Sequence, residues 1–367
     1  MILHFYFARR FLMSFLMLVF VFFALVTLVD MIEQARKFRH EEEVGLGEVI
    51  QLTLLNTPET MNQILPLIMI LSTVVLFLGL ARSSELVVTR AAGRSALRAL
   101  LAPIAVALII GGLAVTVFNP IAAATTNRYK ELANHYRSNG TAAFSISGEG
   151  LWLRQGTPGE QTVIRALRAN SDASILYDVS FITIEPSTGA PTSRIEASSA
   201  QLFEGAWALR KAKVWTFATG ENPEASAETH DTLSLSSTLT LDRIQDSMGT
   251  RTSTSIWDMP QLISQLQRAG FSSRRHQVWY QVELAQPLFL VAMVLMSAAF
   301  TMRHTRFGGT GIAVLSAVLC GFGLYFIRNF AQILGENGQL PIILAAWAPP
   351  AAAVMLALGL LLHAEDG

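Results

Sequence analysis

Charge is scarce in this chain: Asp, Glu, Lys and Arg together make up 15% of its 367 residues, against roughly a quarter in soluble globular domains. With 51% hydrophobic residues and a mean hydropathy of +0.42, a water-soluble globule is excluded. Neither sign of charge dominates. Lys+Arg 27 against Asp+Glu 27 leaves a formal net charge of zero, so there is no basic surplus to hold a nucleic-acid backbone by counterion release. Cysteine is nearly absent. The single Cys320 can form neither an intramolecular disulfide nor a cysteine-based zinc site, and it lies inside an apolar run.

Nucleotide and hydrolase motifs are also missing. There is no Gly-Lys pair, hence no Walker-type phosphate loop. Gly308-Gly-Thr-Gly311 resembles a phosphate cradle only in composition and reads as a turn opening an apolar run. His40-Glu-Glu-Glu-Val44 has Val44 where a zinc-protease helix needs its second histidine. The remaining histidines are scattered, and no Gly-x-Ser-x-Gly elbow exists. No catalytic or metal set assembles, so the expectation is a chain that is not an enzyme and binds no cofactor or metal.

Long apolar runs are abundant. Phe11–Val29, Thr60–Ala81, Ala99–Phe118, Leu284–Met302, Phe307–Ile327 and Leu340–Leu362 are each long enough to cross a membrane, which takes about 20 apolar residues for a hydrocarbon core of ~30 Å. Internal prolines such as Pro66, Pro103, Pro287, Pro349 and Pro350 suggest kinks, which neighbouring helices can accommodate. The first run lacks a small-x-small cleavage site before Asp30 and reads as a retained span. Arg9, Arg10, Arg82, Arg90, Arg94, Arg98, Arg303 and Arg306 gather on one side of the spans; Arg36, Lys37, Arg39 and Arg328 lie on the other. Positive residues favour the cytoplasm, so both termini are expected inside and the long insert outside.

Between about Asn127 and His276 the composition turns polar. Short alternating stretches at 150–154, 162–166, 175–184, 194–197, 206–217 and 233–241 read as strands of a sandwich, jellyroll or open barrel. The alternation within Ile175–Ile184 is broken, which leaves its buried face open. Trp152, Trp207 and Trp215 are expected to anchor the β core. Asp258 ahead of Pro260 marks a returning helix near residues 257–269. The expected architecture is therefore an α-helical membrane protein with six transmembrane helices in a 3+3 arrangement: residues 1–126, an all-β domain over 127–276, and residues 277–367.

The polar residues of interest lie at membrane edges. Arg36, Lys37 and Arg39 fit either a solvated helix end or a site for anionic headgroups. Glu283 and Arg328 stand near the outer ends of the fourth and fifth spans, where they could pair. The inner loop Ala81-Arg-Ser-Ser-Glu-Leu-Val-Val-Thr-Arg-Ala-Ala-Gly-Arg94 reads as a short interfacial helix. Its arginines fit simple anchoring, or the helix fits a partner's groove. A membrane-anchored scaffold satisfies these residues as well as a transporter does.

The SSELVVTRAAGRS loop after the second span, with FYFARRFLMSFL, GLWLRQG, FEGAWALRKAKVW and LPIILAAWAPP, resembles the LptF/LptG permeases of the bacterial lipopolysaccharide export transporter over nearly the whole chain. LPIILAAWAPP and VDMIEQARKF look more like the LptG branch than the LptF branch. The resemblance implies an inner-membrane permease that extracts lipopolysaccharide and passes it to a periplasmic bridge. It implies several partners: an LptB-like ATPase dimer that uses the ATP, an LptF-like second permease, and LptC-like and LptA-like jellyroll proteins. By position, Ser84, Glu85, Leu86, Val87, Thr89, Arg90 and Gly93 match the family's coupling helix, with Glu85 the expected ion-pair partner of the ATPase. Arg36, Lys37 and Arg39 would meet lipopolysaccharide phosphates, their field partly offset by the run His40–Glu43. The first and fifth spans would line the lipid cavity. Gly148, Trp152 and Trp207 match the family pattern as fold residues. The last span reads Trp347-Ala-Pro-Pro350 where an Asn or similar residue is expected near the second proline.

Overall fold

The computed structural model describes residues 2–39, 44–83, 85, 96–136, 144–147, 150–157, 160–170, 174–185, 190–203, 205–217, 222–237, 239, 254–268, 272–302 and 310–366. They form two compact units, residues 1–136, 255–257 and 274–367 in one, and 137–254 and 258–273 in the other.

The first unit is helical. Helix α1 (Ile2–Lys37) contains neither Gly nor Pro, and Arg36 and Lys37 in its last turn complement the helix dipole. α2 (Leu46–Arg82) starts at Gly45, whose N–H donates to Glu48 Oε2 at 2.9 Å. α3 (Ala96–Leu113) runs through a π turn (Ala114–Phe118) into α4 (Asn119–Tyr136), so the helical course continues well past the apolar run. After the β unit come α6 (Arg274–Leu284), α7 (Gln286–Thr301), α8 (Thr310–Glu336) and α9 (Ile342–Asp366); α5 (Met259–Arg268) belongs to the β unit. Among the described residues, five helical stretches are long and apolar enough to cross a membrane, and α6 with α7, bent by 49° about Ala285, makes a sixth.

Packing explains which faces turn inward. On α1, Phe7, Phe11 and Phe15 recur every four residues and are buried, the spacing that puts side chains on one helical face. Phe5, Met13, Leu16, Met17 and Phe20 on its other faces are exposed. α7 is enclosed, with every residue from Phe289 to Ala299 buried and α2, α3, α8 and α9 packed around it. The approach of α3 is close. A Cβ added at Gly111 would lie 2.5 Å from Pro287 Cα, while at Gly112 it would meet nothing within 4 Å. Small residues allow this kind of backbone approach between membrane helices.

The second unit is a seven-stranded antiparallel sheet: β1 (Phe144–Ser147), β2 (Gly150–Thr157), β3 (Glu160–Ala169), β4 (Ile175–Ile184), β5 (Pro191–Phe203), β6 (Ala206–Thr216) and β7 (Glu228–Ser236). Each strand pairs with its sequence neighbour. One face carries the core, through cross-strand pairs such as Leu153↔Ile164, Ile164↔Phe181, Phe181↔Ile195 and Leu202↔Trp207. Leu262 and Leu266 of α5 pack against this core.

The broken alternation in β4 has a backbone cause. Asp178 has φ 53° and Lys211 φ 50°. The pairing skips a line of residues across the strands, Leu167, Asp178, Ser198, Lys211 and Asp231. Leu176 and Val179 are consequently both buried although two residues separate them. The register is the same on both sides of this line, so no strand gains a residue there and the facing strands switch faces together. At another point Gln155 of β2 donates to the Ser236 carbonyl at 3.2 Å and accepts from Ser237 Oγ at 2.8 Å and Trp207 Nε1 at 3.2 Å, joining the end of β7 to β2.

Trp207 is fully buried against Phe181. Trp152 and Trp215 correct the expectation that all three tryptophans anchor the core. Trp152 alternates with the buried Leu151 and Leu153 and lies under Arg165, 5.4 Å from the guanidinium carbon to the ring centre. Trp215 packs against Arg194 and Lys213.

Candidate functional site

Two polar sites lie on α1, one near each end. Arg10 and Asp30 bracket the uncharged stretch and are 20 residues apart, about 30 Å along a helix, which is the thickness of a hydrocarbon core.

At the N-terminal end, Arg10 Nη1 donates to both carboxylate oxygens of Glu85 at 2.8 and 2.9 Å. Tyr6 OH donates to Glu85 Oε2 at 2.9 Å and Ser83 Oγ to Oε1 at 2.7 Å. Arg10 also donates to Tyr6 OH at 2.7 Å. Burial works to raise the Glu85 carboxyl, but the hydrogen bonds from Arg10, Ser83 and Tyr6 outweigh it and hold the group below the ordinary carboxylate value. Ser84, Leu86, Val87, Thr89, Arg90 and Gly93 lie outside the described residues.

At the other end, Lys37 Nζ donates to Tyr129 OH at 3.1 Å, and Tyr129 OH donates to Gln34 Oε1 at 3.2 Å. Gln34 Nε2 and Asn56 Nδ2 both donate to Asp30 Oδ1, at 3.3 and 3.0 Å. The chain of bonds links α1, α2 and α4. Arg36, Lys37 and Arg39 are all exposed, but they are not equivalent, because Lys37 is held over the Tyr129 ring. The run His40–Glu43 lies outside the described residues.

Glu283 and Arg328 are both buried. Among the described residues they form no close ion pair. Arg328 donates instead to Gln286 Oε1 at 2.7 Å and to the Val282 carbonyl at 3.5 Å, with its guanidinium over the Phe289 ring. This joins α8 to the bend between α6 and α7.

Sequence reading missed Tyr6 and Arg10 as partners of Glu85, because Arg10 also fits a simple cytoplasmic anchor. It also missed Gln34, Asn56 and Tyr129. A usable signal was present: Asp30 and Gln34 are one turn apart, at the point where an apolar helix becomes polar. The Trp257 indole donates to the Thr116 carbonyl in the π turn, and Ile256 N–H donates to Asn119 Oδ1; nothing in the local sequence announces either contact.

The enclosed helix α7 with apolar helices packed around it, together with an inserted β unit, defines a multi-span membrane protein. The chain belongs to the LptF/LptG family of lipopolysaccharide export system permeases, whose model matches residues 5–363. It is 23% identical over 359 residues to the lipopolysaccharide export system permease protein LptG of Haemophilus influenzae, covering 94% of this chain and 96% of that one. It is 22% identical over 366 residues to LptG of Escherichia coli K12, covering 98% and 97%. It is thus a permease of the lipopolysaccharide export transporter, a multi-pass protein of the inner membrane and one subunit of a larger export complex.

Proposed function

We propose that this chain is the LptG-type subunit, which takes lipopolysaccharide from the inner membrane and passes it to a periplasmic bridge. The carrying observation is helix α1. Its exposed apolar side chains offer a surface to lipid or to a second permease, and its polar C-terminal end offers Arg36 and Arg39 to anionic headgroups. The rows of exposed Leu315, Leu319, Phe322 and Phe326 on α8 supply a second apolar wall, so the first and fifth spans line the lipid path. Both termini then lie in the cytoplasm and the β unit in the periplasm, where it continues into LptC-like and LptA-like proteins by adding strands edge to edge.

An LptB-like ATPase dimer binds and hydrolyses the ATP, and this chain binds no cofactor or metal. The ATPase engages the inner loop around Ser84, Glu85, Leu86, Val87, Thr89, Arg90 and Gly93, while an LptF-like permease completes the pair. The two relatives named LptG support the choice of branch.

Affinity purification of the tagged chain in mild detergent, with mass spectrometry of proteins and lipids, tests this reading. Recovery of an ABC ATPase, a second multi-span permease and lipopolysaccharide is expected. Recovery of the chain with ordinary phospholipid alone would overturn it.

A further inference from the structure

We infer that Trp257 and Asn119 are positioning residues that lock the π turn between α3 and α4, and that this turn decides which face of α4 meets α1 and α2. An α-helix turns by about 100° and rises about 1.5 Å per residue. The π turn Ala114–Phe118 closes on a wider ring, with Asn119 N–H donating to the Ala114 carbonyl. It takes up one residue more than an α-helical course needs, and single π turns recur at functional sites. Relaxed to a plain α-helix on a fixed α3, the same sequence would put Thr125 where Thr126 now stands and Arg128 where Tyr129 now stands.

The contacts of α4 depend on that setting. Ala122, Ala123, Thr126 and Ala133 are buried. Thr126 Oγ1 donates to Glu59 Oε2 of α2 at 2.9 Å, and Tyr129 OH bridges Lys37 and Gln34 of α1. Relaxation would break all three bonds. The inference thus deepens the functional reading above and rests on it for its consequence in transport, because this is the end of α1 that the reading gives to anionic headgroups.

What holds the turn is a strap, residues 255–257, which belongs to the helical unit although the residues before and after it belong to the β unit. The Trp257 indole N–H donates to the Thr116 carbonyl, inside the turn, at 3.1 Å. Ile256 N–H donates to Asn119 Oδ1, at the end of the turn, at 3.0 Å. Ile256 and Asn119 are both buried, so a broken bond there leaves polar groups unsatisfied. Trp257 itself is 64% exposed, so its ring is not a core side chain. Thr116 lies 18 residues after Arg98, about 27 Å along a helix, at the far limit of a hydrocarbon core of ~30 Å. Tryptophan is enriched at that level, with its ring among headgroups and its N–H on a polar partner.

The test uses the full chain in membranes, co-expressed with its partner subunits and with Cys320→Ser so that only introduced cysteines react. Two reporter pairs, E59C/T126C and E59C/T125C, are joined with a short bifunctional thiol reagent. Without further change the first pair should crosslink far better, since neighbouring residues point about 100° apart. In W257L/N119A the preference should reverse. Lipopolysaccharide release, measured in W257L/N119A with Glu59, Thr125 and Thr126 intact, should fall several-fold. Deleting Val117, an exposed residue of the turn, removes the extra residue and gives α4 its present setting without a strap. Added to W257L/N119A, this deletion should restore both the first crosslink and release, which a merely unstable protein would not do.

An unchanged preference for E59C/T126C in W257L/N119A would overturn the inference, as would failure of the shortened chain to regain it. Reversed crosslinks with unchanged release would uphold the inference and remove the headgroup role of this end of α1, so the two failures are distinguishable.

Discussion

Arg328 is a cation enclosed by helices, and its neighbours depend on it. Replacing it with Met removes the donor for Gln286 Oε1 and the Val282 carbonyl, and each buried polar group left without a partner costs about 1–3 kcal/mol. It also leaves Glu283 buried without a nearby cation, so R328M should lower the melting temperature in detergent. R328M/E283Q should recover part of the loss, since it removes the second buried ionisable group together with the first. Glu85 predicts a pH dependence. Its folded value lies below its unfolded value of 4.5, so the contact with Arg10 is fully present above 4.5 and is lost as pH falls through the lower folded value. Coupled transport should therefore show no acid-side loss from this group at neutral pH. A carboxyl NMR titration of labelled Glu85 should give a midpoint below 4.5, moving upward in R10Q.

Helices and strands respond to changes at their contact points. Gly111→Val drives a side chain into the Pro287 backbone and should cost roughly 1–3 kcal/mol or more, as overpacking does. Gly112→Val, one position on, has open space and should leave thermal stability in detergent nearly unchanged. In the β unit, Asp178→Val places a branched side chain at φ 53° and should destabilise by about 1–2 kcal/mol, the cost of left-handed backbone. Asp178→Gly should be tolerated, and differential scanning calorimetry would separate the two. The spans were legible because uncharged runs of about 20 residues have few other uses. The helices nevertheless run past those runs, since residues such as Arg128, Lys130, Glu131, Leu132 and Ala133 of α4 are good helix formers. The kink line was not legible, because a positive φ at Asp or Lys has no reliable sequence mark and its effect is to erase the alternation that identifies a strand. In the candidate site, Glu85 was read from a motif, whereas Arg10 belongs to a different segment and only tertiary structure brings the two together.

As a whole molecule, the chain divides its bundle between two distant stretches of sequence. Separate expression of residues 1–273 and 274–367 should yield unstable fragments, and co-expression should restore a stable bundle, as measured by monodisperse gel filtration in detergent. A fragment 1–273 as stable alone as with its complement would contradict the enclosed position of α7. That position also imposes an order in time. Residues 114–285 separate α3 from α7, so at about 5–20 residues per second the ribosome needs roughly 10–35 s to deliver α7 after α3. Throughout that interval the groove that will receive Pro287 beside Gly111 faces lipid or an insertion chaperone. Biogenesis of this permease therefore includes a waiting period in the membrane, and a quality-control protease that recognises an open helix groove has its opportunity then.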